Sequence, residues 1–286
     1  MDSADWYRSL KADADSYAQA FMAYYKRTDR HKKTLQMFSD ALPSLIIGNK
    51  DDNDDKVVFE YLGIGCGAGL SDLTLLQKLR RRFSSIKATM VEPSSKFLEE
   101  FNQNRGKTPN DLDDVTFDCR QATFEEYQQS DGGARFDCVC VINVLEYVVN
   151  LDEMISWTYS ALKENGTLIL FFTSETNMFL KLCNHIDQRE INLIEPALVE
   201  RLLEKHNVRK IDRLELDATI NITECFDETS EAGSHLLDFL THAASFRSSA
   251  PAEMLRKVVD HLSRNSVKND DGIYAPNNFT CLVVHK

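Results

Sequence analysis

Val57-Val-Phe-Glu-Tyr-Leu-Gly-Ile-Gly-Cys-Gly-Ala-Gly69 is an apolar run of strand length that passes directly into glycines at 63, 65, 67 and 69. A helical spacing of apolar residues follows over 70–83, and a second apolar run over 86–91 stops at Glu92-Pro93, where proline removes a ladder donor. The order is therefore strand, glycine-rich turn, helix, strand, with an acid closing the second strand. Glycines at such a turn let the backbone approach a ligand while the first helical N–H groups face it. Glu92, about 20 residues further on, stands where a carboxylate can accept hydrogen bonds from both hydroxyls of a ribose. Together they predict a site for an adenosine-bearing cofactor, with Gly63, Gly65, Cys66 and Gly67 in the turn.

Outward from this segment the alternation continues. Helical patterns are expected over 95–104, 152–162 and 195–203, and strands over 115–119, 136–144, 166–172 and 210–216, with turns at 106–114 and 164–166. Repeated strand and helix units require a parallel sheet flanked by helices, because parallel strands need crossover connections. Before the first strand, residues 5–41 carry aromatic and apolar positions at helical spacing. After 217 come two helical stretches, 234–246 and 251–262, a polar turn-rich stretch and a last strand at 279–284. The expected organisation is one domain over 1–286: an N-terminal helical part (1–50), a cofactor-binding α/β core (56–217), and a helical insertion with the final strand (218–286).

The 286 residues hold 33 Lys and Arg against 45 Asp and Glu, a net charge of −12. That balance argues against nucleic acid as the main partner, since duplex binding draws on clustered cations. The basic run Lys78-Leu-Arg80-Arg81-Arg82 reads as the cationic end of a helix. No stretch approaches the apolar length of a membrane span, and the first residues lack a secretory pattern, so the chain reads as cytoplasmic, with no membrane partner. The seven cysteines are odd in number and lack metal-ligand pairing, and Cys138 and Cys140 alternate on one strand face, so reduced, mostly buried thiols are expected. The seven histidines show neither HxxxH nor HExxH spacing, so no metal site is expected.

A dinucleotide and S-adenosylmethionine both suit a glycine turn followed by an acid. In the dinucleotide pattern the third glycine follows the second by three, whereas Gly65-Cys-Gly67-Ala-Gly69 is GxGxG. This spacing resembles motif I of the class I methyltransferases, and Cys138-Val-Cys-Val-Ile-Asn143 resembles their fourth strand. The resemblance implies a Rossmann-like sheet and S-adenosyl-L-methionine as cofactor. It is imperfect, because the acid usually found two positions before the first glycine of the pattern is Gly63 here.

More of the chain narrows the resemblance. Tyr17 with Phe21, Leu42-Pro43, Ile46-Ile-Gly48, Leu62 to Gly69, Val91-Glu-Pro-Ser94, Glu126-Tyr-Gln128, Leu145-Glu-Tyr147-Val148, Asp238-Phe-Leu-Thr241 and Asn277-Asn278 are together similar to the histamine N-methyltransferase family. The resemblance implies a monomeric cytosolic enzyme that methylates a nitrogen of a small imidazole or biogenic amine, with the N- and C-terminal helices forming a substrate cap.

The resemblance puts Gly65, Cys66, Glu92 and Ile142 at cofactor positions. The family's glutamine beyond the second strand becomes Phe97, and its serine near adenine falls at Thr123 or Phe124. For substrate it implies Asn278, with Tyr17, Phe21, Tyr147 and Phe239 as aromatic walls. Asn143 stands for a glutamine, Glu146 for a tyrosine, and a tryptophan-rich loop has become 177–182. The family's substrate-binding glutamate falls on Arg30, or on Asp29 with a shift of one residue. Asn143 and Asn278 are expected to orient the attacking nitrogen and Glu146 to meet a remote positive charge. Arg30 turned inward would instead suit a carboxylated imidazole. A protein of this fold that binds cofactor without turnover is the further alternative.

Overall fold

A computed structural model describes residues 6–48, 58–107, 112–186 and 194–286. The acidic stretch 51–55 and residues 108–111 of the turn expected at 106–114 lie outside them. The chain divides into two compact units, one of residues 32–172, 194–216 and 280–286, the other of 1–31, 173–193 and 217–279.

The first, the sheet unit, is built on seven of the ten strands found among the described residues. In chain order the strands are β1 (Phe59–Ile64), β2 (Ile86–Val91), β3 (Val115–Arg120), β4 (Phe136–Ile142), β5 (Leu162–Thr173) and β6 (Lys210–Leu216), then β7 (Thr219–Asn221), β8 (Val267–Asn269), β9 (Gly272–Pro276) and β10 (Phe279–His285). The large sheet has the order β3-β2-β1-β4-β5-β10-β6, and β1–β2, β1–β4, β2–β3 and β4–β5 pair in parallel. Strand β4 reads Phe-Asp-Cys-Val-Cys-Val-Ile and is buried along nearly its whole length, as a central parallel strand covered on both faces must be. Edge strand β6, Lys-Ile-Asp-Arg-Leu-Glu-Leu, buries only its last residue.

The helices are α1 (Ala14–Tyr25), α2 (Arg30–Asp40), α3 (Leu42–Ile47), α4 (Leu70–Leu79), α5 (Ser95–Gly106), α6 (Phe124–Ser130), α7 (Leu151–Ser160), α8 (Met178–Ile186), α9 (Pro196–Lys205), α10 (Glu231–Thr241), α11 (Phe246–Ser249) and α12 (Ala252–Arg264). Their ends follow local chemistry. Ser94 and Asn150 cap α5 and α7 with side-chain oxygens, while Thr123 and Glu126 form a reciprocal capping box on α6. The basic run lies at the end of α4, where Arg80 pairs with Asp114.

Several boundaries differ from the sequence expectation for identifiable reasons. The turn expected at 164–166 lies inside β5: Leu162 already pairs with Phe136, and the register then shifts so that Thr167 meets Cys138. The helix expected over 234–246 stops at Thr241 because His242 and Ser245 take left-handed backbone angles, and buried Asp238 accepts the Phe246 N–H at 2.7 Å. Segment 177–182, read as a loop, contributes to α8. The polar stretch after 264 holds the β8–β9 hairpin, whose strands are too short for periodicity to register.

The second, helical unit carries the three-stranded sheet β7-β9-β8. Its core includes Met178, Leu182, Ile220, Leu236, Leu240 and Val258, all buried. Six of the seven cysteines are buried and all are free. Among the described residues no helix is long and apolar enough to cross a membrane.

In the sheet unit Phe171 is fully buried, with Phe38 edge-on at 6.0 Å. Phe171→Ala is expected to cost about 3–5 kcal/mol of unfolding free energy, through lost transfer energy and a residual cavity, as measured by urea titration.

Candidate functional site

Strand order reverses between β1 and β4, whose partners run outward in opposite directions. In open α/β sheets ligands bind beyond the carboxyl ends of the strands at this switch point. The glycine turn leaves β1 here, and Asn143 follows β4 directly.

The turn is folded back on the end of β2. The N–H groups of Gly65 and Cys66 donate to the Val91 carbonyl at 2.8 and 3.2 Å, and the Gly67 N–H donates to Glu92 Oε2 at 3.0 Å. Glu92 Oε1 accepts the Ser94 N–H at 3.0 Å. The buried carboxylate thus ties the turn to the strand end and keeps further lone pairs for a ligand. Gly65 and Gly69 have φ of 65° and 74°, and a Cβ on either would lie 2.2 Å from Val144 or Phe101. At Gly67, φ 53°, a Cβ would meet nothing within 4 Å. Of these three turn positions, the open one is beside Glu92. A cradle of bare backbone next to a carboxylate fits the ribose end of an adenosine.

Gly63 lies within β1, and a Cβ there would lie 2.7 Å from Asp72 Oδ1 and equally close to the Met90 methyl. Asp72, in the first turn of α4, is 2% exposed and accepts the Tyr61 hydroxyl at 2.7 Å. Burial pushes its carboxyl up to about 7, against the lowering effect of that hydrogen bond. Cys66, in the turn itself, has its thiol pushed up by burial first and by Asp72 next. Sequence reading missed Asp72, although it is an acid three residues past the last glycine.

The remaining positions of the sheet unit are varied. Phe97 is 47% exposed on α5. Thr123 spends its hydroxyl and backbone N–H on the capping box, with its hydroxyl accepting the Glu126 N–H and its own N–H donating to Glu126 Oε2. Ile142 ends β4. Asn143 holds φ 52°, a strained backbone for a residue with a side chain, and its N–H donates to Phe171 O at 2.8 Å. Glu146 is half-buried and Tyr147 67% exposed, both in the 3-10 turn Leu145–Tyr147.

In the helical unit, Phe21 and Tyr17 stack at 6.4 Å, and Phe239 packs on Phe21 at 6.1 Å and on Tyr24 at 4.4 Å. Spacing along α1 and α10 thus brings three of the four expected aromatic positions together, Tyr147 lying in the sheet unit. Burial pushes the Tyr17 phenol up. Asn278 Oδ1 accepts the Ala218 N–H at 3.0 Å and its Nδ2 donates to Thr176 at 2.9 Å, which leaves one N–H and one lone pair for a ligand. Beneath it, buried Asn177 donates to Asn278 O and to Asn277 Oδ1, while Asn277 donates to Tyr24 and Thr28. Asp29 Oδ1 accepts the Thr219 N–H at 2.7 Å, and the Arg30 guanidinium lies 4.0 Å from the Phe279 ring centre. Among the described residues no cluster of three or more His, Cys, Asp or Glu could hold a metal ion.

A family model described as a methyltransferase domain matches residues 62–168. Histamine N-methyltransferase B of Xenopus laevis is 30% identical over 299 residues, covering 99% of each chain. The chain belongs to the histamine N-methyltransferase family. It is a methyltransferase, and its cofactor is S-adenosyl-L-methionine. Within the same set of relatives, carnosine N-methyltransferase 2 of Gallus gallus is 25% identical over 96% of this chain and 88% of its own. A solved Bacillus halodurans structure assigned as a methyltransferase shares the fold at TM-score 0.51, with 17% identity over 85% of this chain and 99% of the other. The class I sheet expected from the glycine turn is the sheet observed.

Two outcomes are expected. Gly65→Ala, with a left-handed backbone and Val144 in the way, abolishes cofactor binding in calorimetry, whereas Gly67→Ala, strained at φ 53° but with open space for its Cβ, still folds and weakens binding. Asp72 has a folded value above its ordinary 3.8. The folded state therefore holds a proton the unfolded chain has released, and stability falls as pH rises from about 4 through 7. Asp72→Asn removes that slope and leaves the protein more stable at pH 8, by on the order of 1–4 kcal/mol in urea titrations.

Proposed function

We propose that the chain, as a single methyltransferase domain over 1–286, transfers the methyl group of S-adenosylmethionine to a nitrogen of a small imidazole or biogenic amine, histamine-like in size and charge. The observation that carries this reading is the near full-length identity to a histamine N-methyltransferase, together with the aromatic cluster of Tyr17, Phe21 and Phe239. When bound, the cofactor supplies an activated methyl group on a sulfonium, so strong base catalysis is unnecessary. The residues need to hold a neutral nitrogen lone pair in line and exclude water.

In the helical unit, Asn278 is the hydrogen-bonding candidate for the acceptor, its remaining N–H and lone pair held in direction by Ala218 and Thr176. In the sheet unit, Asn143 is the corresponding candidate, following β4 directly in a left-handed backbone conformation. Glu146 is the anion for a remote ammonium, because a positive charge leaving water needs a partner. Aromatic faces add attraction for such a cation. The same reading makes the protein a cytosolic monomer.

A second reading has its own support. Arg30 is held against the Phe279 ring, and among the described residues no carboxylate is paired with it. Burial and Arg30 also lower the neighbouring His31 to about 4, so its imidazole is neutral at physiological pH. A free guanidinium beside a neutral ring suits a carboxylated imidazole such as a histidine-containing dipeptide.

Labelled S-adenosylmethionine with a panel of histamine, histidine and carnosine separates the readings. Transfer favouring histamine, with Glu146→Gln raising its KM about tenfold at unchanged cofactor affinity, supports the first. Transfer favouring carnosine and lost with Arg30→Ala supports the second. Cofactor binding without transfer to any amine sinks both in favour of a non-catalytic binder.

A further inference from the structure

Asp72 is a carboxyl that the fold itself does not require. It is almost fully enclosed, accepts the Tyr61 hydroxyl and has its own backbone N–H as a second, neutral donor. Among the described residues no lysine, arginine or histidine pairs with it. A buried carboxylate so placed opposes folding whenever it ionises, and an asparagine of the same shape would keep the Tyr61 bond without that cost. Where a protein retains a costly buried acid next to a ligand site, the acid's partner is sought in the ligand.

Its position identifies that partner. Asp72 leaves the first turn of α4 and reaches back to β1, where the missing Cβ of Gly63 makes the room it occupies. The carboxyl therefore sits at the carboxyl end of the strand beside the switch point, next to the turn that receives the cofactor. The titratable groups that feel its charge are Tyr61 on β1, Cys66 in the turn and Cys140 on β4, all of which favour their neutral forms. Glu92, at the end of β2, is already bonded to the N–H groups of Gly67 and Ser94. One carboxylate thus serves the ribose side, and the second has no cation of its own. S-adenosylmethionine carries a sulfonium and, at its amino-acid end, an ammonium beside a carboxylate; the ammonium is the group that a second carboxylate can receive.

We propose that Asp72, oriented by Tyr61 and admitted by Gly63, is the anion that receives the ammonium group of S-adenosylmethionine. The inference rests on the cofactor and is independent of which amine is methylated.

The test is calorimetric binding of three ligands to the full chain: S-adenosylmethionine, S-adenosylhomocysteine, and 5′-methylthioadenosine, which keeps the nucleoside and lacks the amino-acid end. Asp72→Asn is expected to weaken the first two about tenfold or more and to leave the third within about twofold. Tyr61→Phe, which keeps the carboxyl and loosens its orientation, is expected to weaken the same two several-fold and to spare the third. Unchanged affinity for all three, or equal weakening of all three in either variant, overturns the proposal. A wild-type chain that binds none of the three overturns instead the cofactor assignment beneath it.

Discussion

The hydrogen bond from the Gly67 N–H to the Glu92 carboxylate, with those of Gly65 and Cys66 to Val91, joins the end of one strand to the end of the next. It holds a turn that would otherwise be one of the most mobile segments, since its glycines lose the most conformational freedom on ordering. Phe101 and Val144 fill the space where side chains on Gly69 and Gly65 would stand, so the packing of α5 and the segment after β4 presupposes bare backbone there. Cofactor recognition, the start of α4 and the alignment of β1 with β2 depend on this one folded-back turn.

Around that turn the protein keeps features that oppose stability. A non-glycine residue, Asn143, is held in a left-handed conformation at the tip of β4, and a carboxyl, Asp72, is buried against the Tyr61 hydroxyl with no cation paired to it among the described residues. The surrounding core of β1, β4 and β5, with Leu62, Val139, Val141 and Leu170 fully or nearly fully buried, is large enough to sustain both. Local strain concentrated where strands end at the switch point is the pattern of a site shaped for a ligand.

The helical unit solves a different problem. Buried Asn177, Asn277 and Tyr24, with half-buried Thr28, form a connected hydrogen-bonded set beneath Asn278. Mutual pairing within that set matters because a half-satisfied network in the interior is more costly than an apolar core. The result is a carboxamide whose direction is determined from two sides, by Ala218 and Thr176, with capacity left for a further bond.

The class of fold, the cofactor turn and the acid that serves it were legible along the chain because each rests on short-range signals: a strand-length apolar run, glycines two apart, and Glu92 before a proline. Helices α5, α7, α9 and α12 were legible within a few residues from their periodicity, with side-chain caps on α5 and α7. Less was visible where the decisive partner lies far away in sequence. The end of α10 depends on Asp238 receiving the Phe246 N–H, the short hairpin β8–β9 on pairing too brief to leave a pattern, and the division of 1–50 between two units on which core each segment joins. Asp72 is the sharpest case. By sequence it is one acid among 45 on an ordinary amphipathic helix. Only tertiary packing, which places it against the missing side chain of Gly63 and removes it from water, makes it a charge that a cationic cofactor can use.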